Sequence, residues 1–343
     1  MQHDMHLAPP PLLEIAGLRA SFRGPNGYAE AVRGVDLTLQ PGKVLGIVGE
    51  SGSGKSVTMM ALLQLLPGGS KVTGSAKFRG RELVGMAADE MRHIRGKQIG
   101  VIFQDPLSAF NPVLTIGDQI AEAIRLHDRT VSKREGLERA EHLLDSVAIP
   151  QPKRRVSQYP YEFSGGMRQR AMIAMAIANS PDLLIADEPT TALDVTVQAQ
   201  ILDLLQRLRE ELGIGLVLIT HDLGVVAGSA DEIAVMYGGR IVERGAVEDV
   251  FYRTRHPYTR GLLRAMPRVE DDGEDLTPIE GTPPSIWARP GGCAFHPRCV
   301  NAQQICAEVD PELRPALATA SACHFAASLP PLAAPSELVG APL

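Results

Sequence analysis

The chain has 343 residues, enough to bury a large hydrophobic core, so we expect two or three structural units. Its 44% apolar residues and mixed charges are typical of a soluble protein. The net charge of −6 argues against generic nucleic-acid binding, in which a basic surface supplies most of the affinity, so we expect no nucleic-acid partner; only a local basic patch would provide such a surface.

The N-terminus and the apolar runs indicate where the protein works. Residues 1–6 contain no basic stretch followed by an apolar core, so no signal peptide is expected. The longest apolar runs, such as 171–178, fall well short of the ~20 residues that cross a bilayer. The sequence predicts a cytoplasmic protein that reaches a membrane only through a partner.

The first predicted elements are two short strands, 12–18 and 31–39, with turn residues at 24–27. Tyr28 lies in this hairpin region and is a candidate platform for an adenine ring, or an ordinary aromatic packed on its neighbours. Phe22 is the competing candidate, and the pattern does not decide between them.

A glycine-rich segment follows a predicted buried strand at 44–48 and precedes a predicted helix at 57–66. Its glycines and Lys-Ser pair fit the phosphate-binding spacing G-x-x-x-x-G-K-[ST]. Such a loop directs backbone N–H groups and the positive helix end at one anion. Lys55 would reach the β- and γ-phosphates, and Ser56 would bind Mg²⁺. The predicted nucleotide-binding residues are Tyr28, Gly49, Glu50, Ser51, Gly52, Ser53, Gly54, Lys55, Ser56 and Val57.

A second apolar strand, 99–103, leads directly into Gln104. The carboxyl ends of strands are where α/β sheets contact their ligands. Gln104 is therefore a candidate to meet Mg²⁺ or a water, although alone it would be a solvated loop residue.

Residues 107–163 are predicted to be helical and to form a lobe inserted between strands. Two capping boxes, at 115–118 and 132–135, indicate helix starts. Next, Ser164, Gly165 and Gly166 precede a helix at 171–178, in a geometry that binds anions. These residues could supply half a phosphate site that a second subunit completes. Ser164 could equally be an N-cap, and the two roles are compatible.

Two acids end the next buried strand, within 181–189. Asp187 is predicted to hold the Mg²⁺ shell, and Glu188 to polarise an attacking water as general base. A helix follows Asp194, and a strand at 215–220 ends at His221, which could hydrogen-bond the γ-phosphate. Each residue alone would have an ordinary structural explanation.

The composition changes after residue 256, where proline, glycine and cysteine increase. An acidic run at 270–275 is predicted to be a solvated linker. All four cysteines follow it: Cys293, Cys299, Cys306 and Cys323. Disulfides are disfavoured in a reducing cytoplasm. Zinc more often uses C-x-x-C pairs, although His296 and His324 are spare ligands. Four thiolates can also hold a [4Fe–4S] cluster.

Together these motifs resemble the ATP-binding subunit of ABC transporters. The matches are Walker A (49–56), the Q-loop (Gln104), the signature (164–167), Walker B (Asp187 and Glu188), the D-loop (192–194), the switch histidine (His221) and the aromatic A-loop position (Tyr28). Phe163 departs from the leucine that usually opens the signature. The resemblance implies an ATPase that uses Glu188, His221, Gln104 and Lys55 in catalysis and binds Mg²⁺ through Ser56, Gln104 and Asp187. Ser164, Gly165 and Gly166 would reach the phosphates of a second ATPase subunit, and Asp194 would contact that subunit.

The resemblance also implies the fold and its divisions. We expect an α/β P-loop NTPase (RecA-like) core with an antiparallel β subdomain, an inserted α-helical subdomain and a small cysteine-containing C-terminal region. The expected divisions are 12–106 for the first part of the core with the β subdomain, 107–163 for the helical subdomain, 164–255 for the second part of the core and 256–343 for the C-terminal region.

Other stretches are similar to a narrower group, the ATPases of dipeptide, oligopeptide and nickel importers. They are residues 54–57, 103–106, 256–259 and 292–299. This implies import of peptides or a related solute, with nickel and glutathione as alternatives, at the cytoplasmic face of the inner membrane. The implied partners are two permease subunits, a second ATPase (commonly a different chain) and, indirectly, an external solute-binding protein. A similar tail carries a [4Fe–4S] cluster in some dipeptide ATPases, so that cluster is favoured over zinc or no metal. A soluble ABC ATPase acting on nucleic acid, or a subunit with a dead site, is the rival.

Overall fold

The computed structural model describes residues 10–266 and 278–330. The acidic run at 270–275 and the N-terminal residues 1–6 lie outside these ranges. The strands are β1 (Leu13–Gly24), β2 (Gly27–Leu39), β3 (Val44–Val48), β4 (Lys71–Phe78), β5 (Arg81–Glu82), β6 (Ile99–Ile102), β7 (Leu183–Asp187), β8 (Gly215–Thr220), β9 (Glu232–Tyr237), β10 (Arg240–Ala246), β11 (Arg314–Ala316) and β12 (Thr319–Ser321). The α-helices are α1 (Lys55–Leu62), α2 (Ala88–Ile94), α3 (Pro106–Ala109), α4 (Ile116–His127), α5 (Lys133–Ser146), α6 (Pro152–Arg155), α7 (Gly165–Ala176), α8 (Val195–Leu212), α9 (Leu223–Ala227), α10 (Val247–Arg253), α11 (Pro257–Arg264) and α12 (Gln304–Glu308).

The main sheet has the strand order β11-β12-β10-β9-β3-β8-β7-β6. The run from β9 to β6 is parallel, so the carboxyl ends of these five strands lie at one edge. Strand β3 is buried throughout, and its side chains alternate between two hydrophobic cores. Val44 and Val48 face one core, and Leu45 and Ile47 face the other. A strand covered on both faces is therefore apolar along its whole length.

A smaller antiparallel sheet has the order β2-β1-β4-β5. The pairing of β1 with β2 continues to Arg23 opposite Tyr28 and Gly24 opposite Gly27. The two short strands expected from the sequence are therefore one long hairpin, and only residues 25 and 26 form its turn.

The helical lobe lies between β6 and β7. Thr115 and Ser132 cap α4 and α5, and their hydroxyl oxygens accept from the N–H groups of Asp118 and Glu135, which confirms the predicted helix starts. The helix expected at 171–178 begins earlier, directly after Ser164. The Ser164 hydroxyl accepts from the N–H of Met167 at 3.3 Å and compensates for the low helix propensity of two glycines.

The C-terminal region extends the main sheet, because β12 pairs with β10 and β11 with β12. Glu243 of β10 is fully buried beneath this junction. Its carboxylate accepts hydrogen bonds from Thr254 at 2.6 Å and Thr319 at 2.9 Å, while burial raises its pKa. The hydrogen bonds connect the cysteine-containing region to the core.

Within residues 10–266 and 278–330, none of the helices combines the length and apolar character needed to span a lipid bilayer.

Candidate functional site

Four neighbouring strands bring the predicted site residues together. The glycine-rich loop follows β3, His221 follows β8, Glu188 follows β7 and Gln104 lies two residues beyond β6. These strands are adjacent and parallel in the order β3-β8-β7-β6. Segments separated by up to 172 positions in the sequence therefore meet at one edge of the sheet, where α/β proteins bind ligands.

The loop after β3 has a backbone that depends on glycine. Gly49 has a φ of +153°, and a Cβ there would lie 2.2 Å from the carbonyl oxygen of Met236. Gly54 has a φ of +105°, and a Cβ there would lie 2.8 Å from the carbonyl oxygen of Ala31. Both positions combine a backbone conformation that L side chains rarely adopt with no room for a side chain.

Lys55 is held inside this loop. Its ammonium group donates to the carbonyl oxygens of Gly49 at 2.6 Å and Glu50 at 3.1 Å, and the residue is 5% exposed. Burial lowers the pKa of Lys55, against the opposing effect of Glu188, Asp187 and Glu50. The cation is thus fixed beneath the loop at the start of α1.

Ser56 and Asp187 form an oxygen-rich pair beside the lysine. The Ser56 hydroxyl donates to Asp187 Oδ1 at 2.8 Å. Burial raises the pKa of Asp187, and the neighbouring Glu188 charge raises it further, although the Ser56 hydrogen bond opposes them. A hydroxyl beside a carboxylate is the donor set that Mg²⁺ prefers, so the pair fits that ion.

Three side chains converge on the Glu188 carboxylate. Gln104 Nε2 donates to Glu188 Oε2 at 3.0 Å, and the Thr191 hydroxyl donates to the same oxygen at 2.9 Å. His221 Nδ1 lies 3.5 Å from it. Gln104 therefore contacts Glu188, and its expected share in a Mg²⁺ site with Ser56 and Asp187 stays a prediction.

The backbone of Glu188 is also unusual. Its φ is +49°, a left-handed conformation that non-glycine residues adopt rarely and mainly where the surrounding structure imposes it. Its N–H donates to the carbonyl of Ile219 at 2.9 Å, beyond the end of β7. The side chain is only 13% exposed, so its carboxylate is held in one direction.

The Ser-Gly-Gly segment and Asp194 lie at helix starts on the surface. Ser164, Gly165 and Asp194 are exposed. Ser164 caps α7 and Asp194 caps α8 by accepting from Val197 N–H at 3.0 Å. Their hydrogen-bond partners belong to their own helices, so their expected roles across a subunit interface stay predictions.

The two adenine-platform candidates lie on opposite strands of the β1–β2 hairpin. Tyr28 pairs with Arg23, and Phe22 with Ala29, so the two rings project from opposite faces. Tyr28 is 46% exposed, and the Lys71 ammonium lies 3.9 Å from its ring centroid. An accessible ring with a cation over one face can still stack a base on the other.

The four cysteines line one small apolar pocket together with His256 and Phe295. Burial raises the pKa of Cys293 to about 11 and also raises the pKa values of Cys299 and Cys323, so these thiols are protonated near neutral pH. Among the described residues, no group of three or more His, Cys, Asp or Glu side chains is arranged to hold a metal ion. The four thiols share a pocket, but this arrangement does not show a preformed site for zinc or for an iron–sulfur cluster.

Two contacts from the C-terminal region reach the glycine-rich loop and were missed from the sequence. The Tyr258 hydroxyl oxygen accepts from the N–H of Glu50 at 2.8 Å. Arg298 binds both Glu50 carboxylate oxygens, at 2.6 and 3.0 Å. Both residues lie in the stretches 256–259 and 292–299 that resemble peptide importers. Nothing in the sequence indicates that either of them contacts Glu50.

The sequence matches two known protein families. The family model "ABC transporter" matches residues 32–191, and "Oligopeptide/dipeptide transporter, C-terminal region" matches residues 242–306. The chain is 50% identical over 300 residues to the oligopeptide transport ATP-binding protein OppD of Salmonella typhimurium, covering 88% of this chain and 89% of that protein. OppD of Bacillus subtilis is 51% identical over 305 residues, covering 88% and 85%.

Solved structures of ABC-type proteins are also similar to this chain. The dimeric post-hydrolysis ATP-binding cassette MJ0796, bound to ADP and Pi, matches with a TM-score of 0.62 and 28% identity, over 68% of this chain and 98% of that one. The cbiO1 protein of Clostridium perfringens matches with a TM-score of 0.59 and 25% identity, over 70% and 90%. The expected α/β P-loop fold is confirmed, and the expected division at residues 106, 163 and 255 stays a prediction.

Proposed function

The chain belongs to the ABC transporter ATP-binding proteins, and from this premise we propose that it powers peptide import through a membrane permease by hydrolysing ATP. The observation that carries the proposal is the convergence of Gln104, Thr191 and His221 on Glu188, beside Lys55 and the Ser56–Asp187 pair. The OppD relatives named above are oligopeptide transport proteins, which supports peptide as the solute.

Each residue of the site has a role in this proposal. The loop from Gly49 to Val57 cradles the phosphates, and Lys55 offsets their charge. Ser56 and Asp187 would hold Mg²⁺, with Gln104 at its shell, and the ion would neutralise charge that develops on the phosphates. Tyr28 stacks on the adenine, and Phe22 is the alternative platform.

Glu188 orients and deprotonates the attacking water. Its carboxylate is fixed by Gln104 and Thr191, so it can accept a proton from a water in one direction. His221, 59% exposed and beside the same oxygen, would hydrogen-bond the γ-phosphate. Catalysis in such a site is positioning combined with electrostatic stabilisation.

We infer that the site is completed by a second ATPase subunit. The exposed Ser164 and Gly165, with the half-buried Gly166, would face the γ-phosphate held by Lys55 of that subunit, and Asp194 would contact that subunit. The similar MJ0796 cassette is described as dimeric, which supports this arrangement. The second subunit could be a different chain of the same family.

The partners follow from this role. Two integral-membrane permease subunits would bind the helical lobe at residues 107–163, and a solute-binding protein outside the cell would deliver the peptide. The ATPase would act at the cytoplasmic face of the inner membrane as a peripheral subunit. Closure of two ATPase subunits around ATP would then move the lobe and the attached permease helices.

The test is to purify the full chain from membranes of its own cells and reconstitute the assembly in liposomes. Two polytopic membrane proteins should copurify, and lumenal oligopeptide with its binding protein should stimulate ATP hydrolysis. Stimulation by nickel or glutathione alone would change the proposed solute. Recovery of nucleic acid without membrane proteins would contradict the transport function.

For the C-terminal region we propose a [4Fe–4S] cluster bound by Cys293, Cys299, Cys306 and Cys323. The four thiols converge on one apolar pocket, which supports a cluster in which each thiolate binds a different iron. Its bound irons would keep deprotonated the thiols that burial otherwise protonates.

The cluster has a direct test. Anaerobically purified protein should contain iron and sulfide and absorb broadly in the blue region of the visible spectrum. Replacing Cys306, the most buried thiol, with Ser should abolish both signals, while wild-type protein retains them. Stoichiometric zinc without iron, or no metal in either protein, would contradict the cluster.

A further inference from the structure

We propose that Arg298 is a positioning residue of the nucleotide site, through which the cysteine-containing region holds the phosphate-binding loop in its binding conformation. This deepens the proposed ATPase function and rests on it. Glu50 is the first residue after Gly49 in the loop. Two residues of the C-terminal region, Tyr258 and Arg298, form hydrogen bonds with it.

The first contact is with the Glu50 side chain. Arg298 binds its carboxylate in a bidentate pair, which fixes direction as well as distance. The Arg298 side chain is 6% exposed and the Glu50 side chain 25%, so water screens this pair far less than a surface ion pair.

Arg298 is itself held in place by further acceptors. Its Nε donates to the carbonyl of Glu280 at 2.9 Å, and Nη2 donates to the carbonyl of Ile279 at 3.2 Å. Nη1 donates to the Tyr237 hydroxyl at 3.3 Å. With the two bonds to Glu50, all five guanidinium N–H donors have partners, so the fork has one orientation.

The second contact is with the Glu50 backbone. The N–H of Glu50 donates to the fully buried Tyr258, whose ring packs against Tyr237 and Phe295 with centroids 4.6 and 5.3 Å away. Phe295 lies three residues before Arg298. The aromatic cluster thus packs Tyr258 and Phe295 of the C-terminal region against Tyr237 of β9, close to Arg298.

The two contacts with Glu50 also affect Lys55, the lysine that would bind the phosphates. The carbonyl of Glu50 accepts from Lys55 Nζ at 3.1 Å. Fixing the side chain and N–H of Glu50 fixes its peptide groups and hence the seat of Lys55. Release of Arg298 would free the loop, which would then lose conformational entropy when it binds the nucleotide.

The test compares Arg298→Gln, Glu50→Gln and the double variant in the full chain, using fluorescence titration with a mant-labelled ATP. Each single variant should raise the Kd by about 10-fold, the worth of one charged hydrogen-bonded pair. The double variant should also raise it by about 10-fold, because the same contact is lost once. Arg314→Gln, in an exposed ion pair of the same region, is the matched control and should leave the Kd unchanged.

Steady-state kinetics give a readout that a purely structural role would not move. Arg298→Gln should raise the KM for ATP with kcat changed by less than about 3-fold, because the loop is ordered equally in the ground and transition states. A lower melting temperature with an unchanged Kd would overturn the proposal, as would a double variant about 100-fold weaker than the parent.

A second variant covers the case in which Arg298→Gln does not fold. Tyr258→Phe removes only the acceptor for the Glu50 N–H and should raise the Kd by about 5-fold, whereas Tyr252→Phe, in a partly buried tyrosine of α10, should not. An unchanged Kd for Tyr258→Phe would contradict the proposal. Wild-type protein that binds mant-ATP without hydrolysing it would contradict the ATPase function alone, because the Kd comparison does not require hydrolysis.

Discussion

The nucleotide site and the cysteine pocket are both clusters of buried ionisable groups, but they solve the problem of burial in opposite ways. The nucleotide site contains lysine, aspartate and glutamate next to one another, and each has hydrogen-bond partners. The cysteine pocket contains thiols whose pKa values are raised and His256, whose burial lowers its pKa to about 3. One cluster compensates charge with opposite charge, and the other suppresses charge.

This difference indicates what each cluster is ready to receive. Fixed charges with oriented partners are pre-organised for a charged substrate, because no reorganisation is needed when the substrate arrives. Neutral thiols in an apolar pocket do not attract free ions, and they become charged only when a metal replaces their protons. Arg298 joins the two regions, since it lies next to Cys299 and its charge is paired in the loop of the nucleotide site.

The largest expected effect tests the oriented charge of the nucleotide site. Glu188→Gln keeps the size of the side chain and one oxygen that can accept from Gln104 and Thr191, but it removes the base. We expect kcat to fall by about 10²- to 10⁴-fold, the contribution of a positioned general base, while ATP still binds and traps the closed dimer. Steady-state ATPase assays and size-exclusion chromatography with ATP measure the two effects.

The matched control is Glu210→Gln, the same change at a glutamate of α8 whose side chain is 68% exposed. It should leave both kcat and the oligomeric state unchanged. Hydrolysis by Glu188→Gln at the parent rate would show that Glu188 is not the base. The contrast between the nucleotide site and the cysteine pocket would then be lost, because the fixed charge of Glu188 would have no role in hydrolysis.

The convergence of the candidate nucleotide-site residues could largely be predicted, because each motif is a short local pattern. The glycine spacing around Lys55 and the acids that end β7 are short patterns with a direct physical cause. The parallel sheet then brings them together without further information. The sequence did not predict Thr191 as a partner of Glu188, because a hydroxyl three residues downstream is common in many loops.

The C-terminal region was less predictable for a physical reason. β11 and β12 have three residues each, too few for a period-two pattern, so their addition to the main sheet left no signal. The pairing of Arg298 with Glu50 spans 248 positions and depends on tertiary structure alone. The cysteines were noticed from their spacing, but only the fold shows that they share a pocket.

The smallest expected effect tests the suppressed charge of the cysteine pocket, through the pH dependence of stability. His256 is 1% exposed and caps α11, with its Nδ1 accepting from the Tyr258 N–H at 3.1 Å. Its pKa is about 3 in the folded chain and 6.5 in the unfolded chain, so the unfolded state binds more protons between these values. The His256 contribution to the free energy of unfolding should therefore fall by about 1.4 kcal/mol for each pH unit from 6.5 towards 3, while Asp187 and Glu243, whose pKa values burial raises, contribute with the opposite sign.

Asn at this position can accept the same capping hydrogen bond but does not titrate, so His256→Asn should remove the His256 contribution to the slope, whatever its effect on absolute stability. Urea unfolding at pH 7, 6, 5 and 4 measures the difference between the two proteins. The Cys293, Cys299 and Cys323 thiols are uncharged throughout this window, since their pKa values lie above the usual range. His142→Asn, at an exposed position of α5, should keep the parent slope. Equal slopes for His256→Asn and the parent would mean that the pocket accepts a charged imidazole, and the contrast with the nucleotide site would be lost.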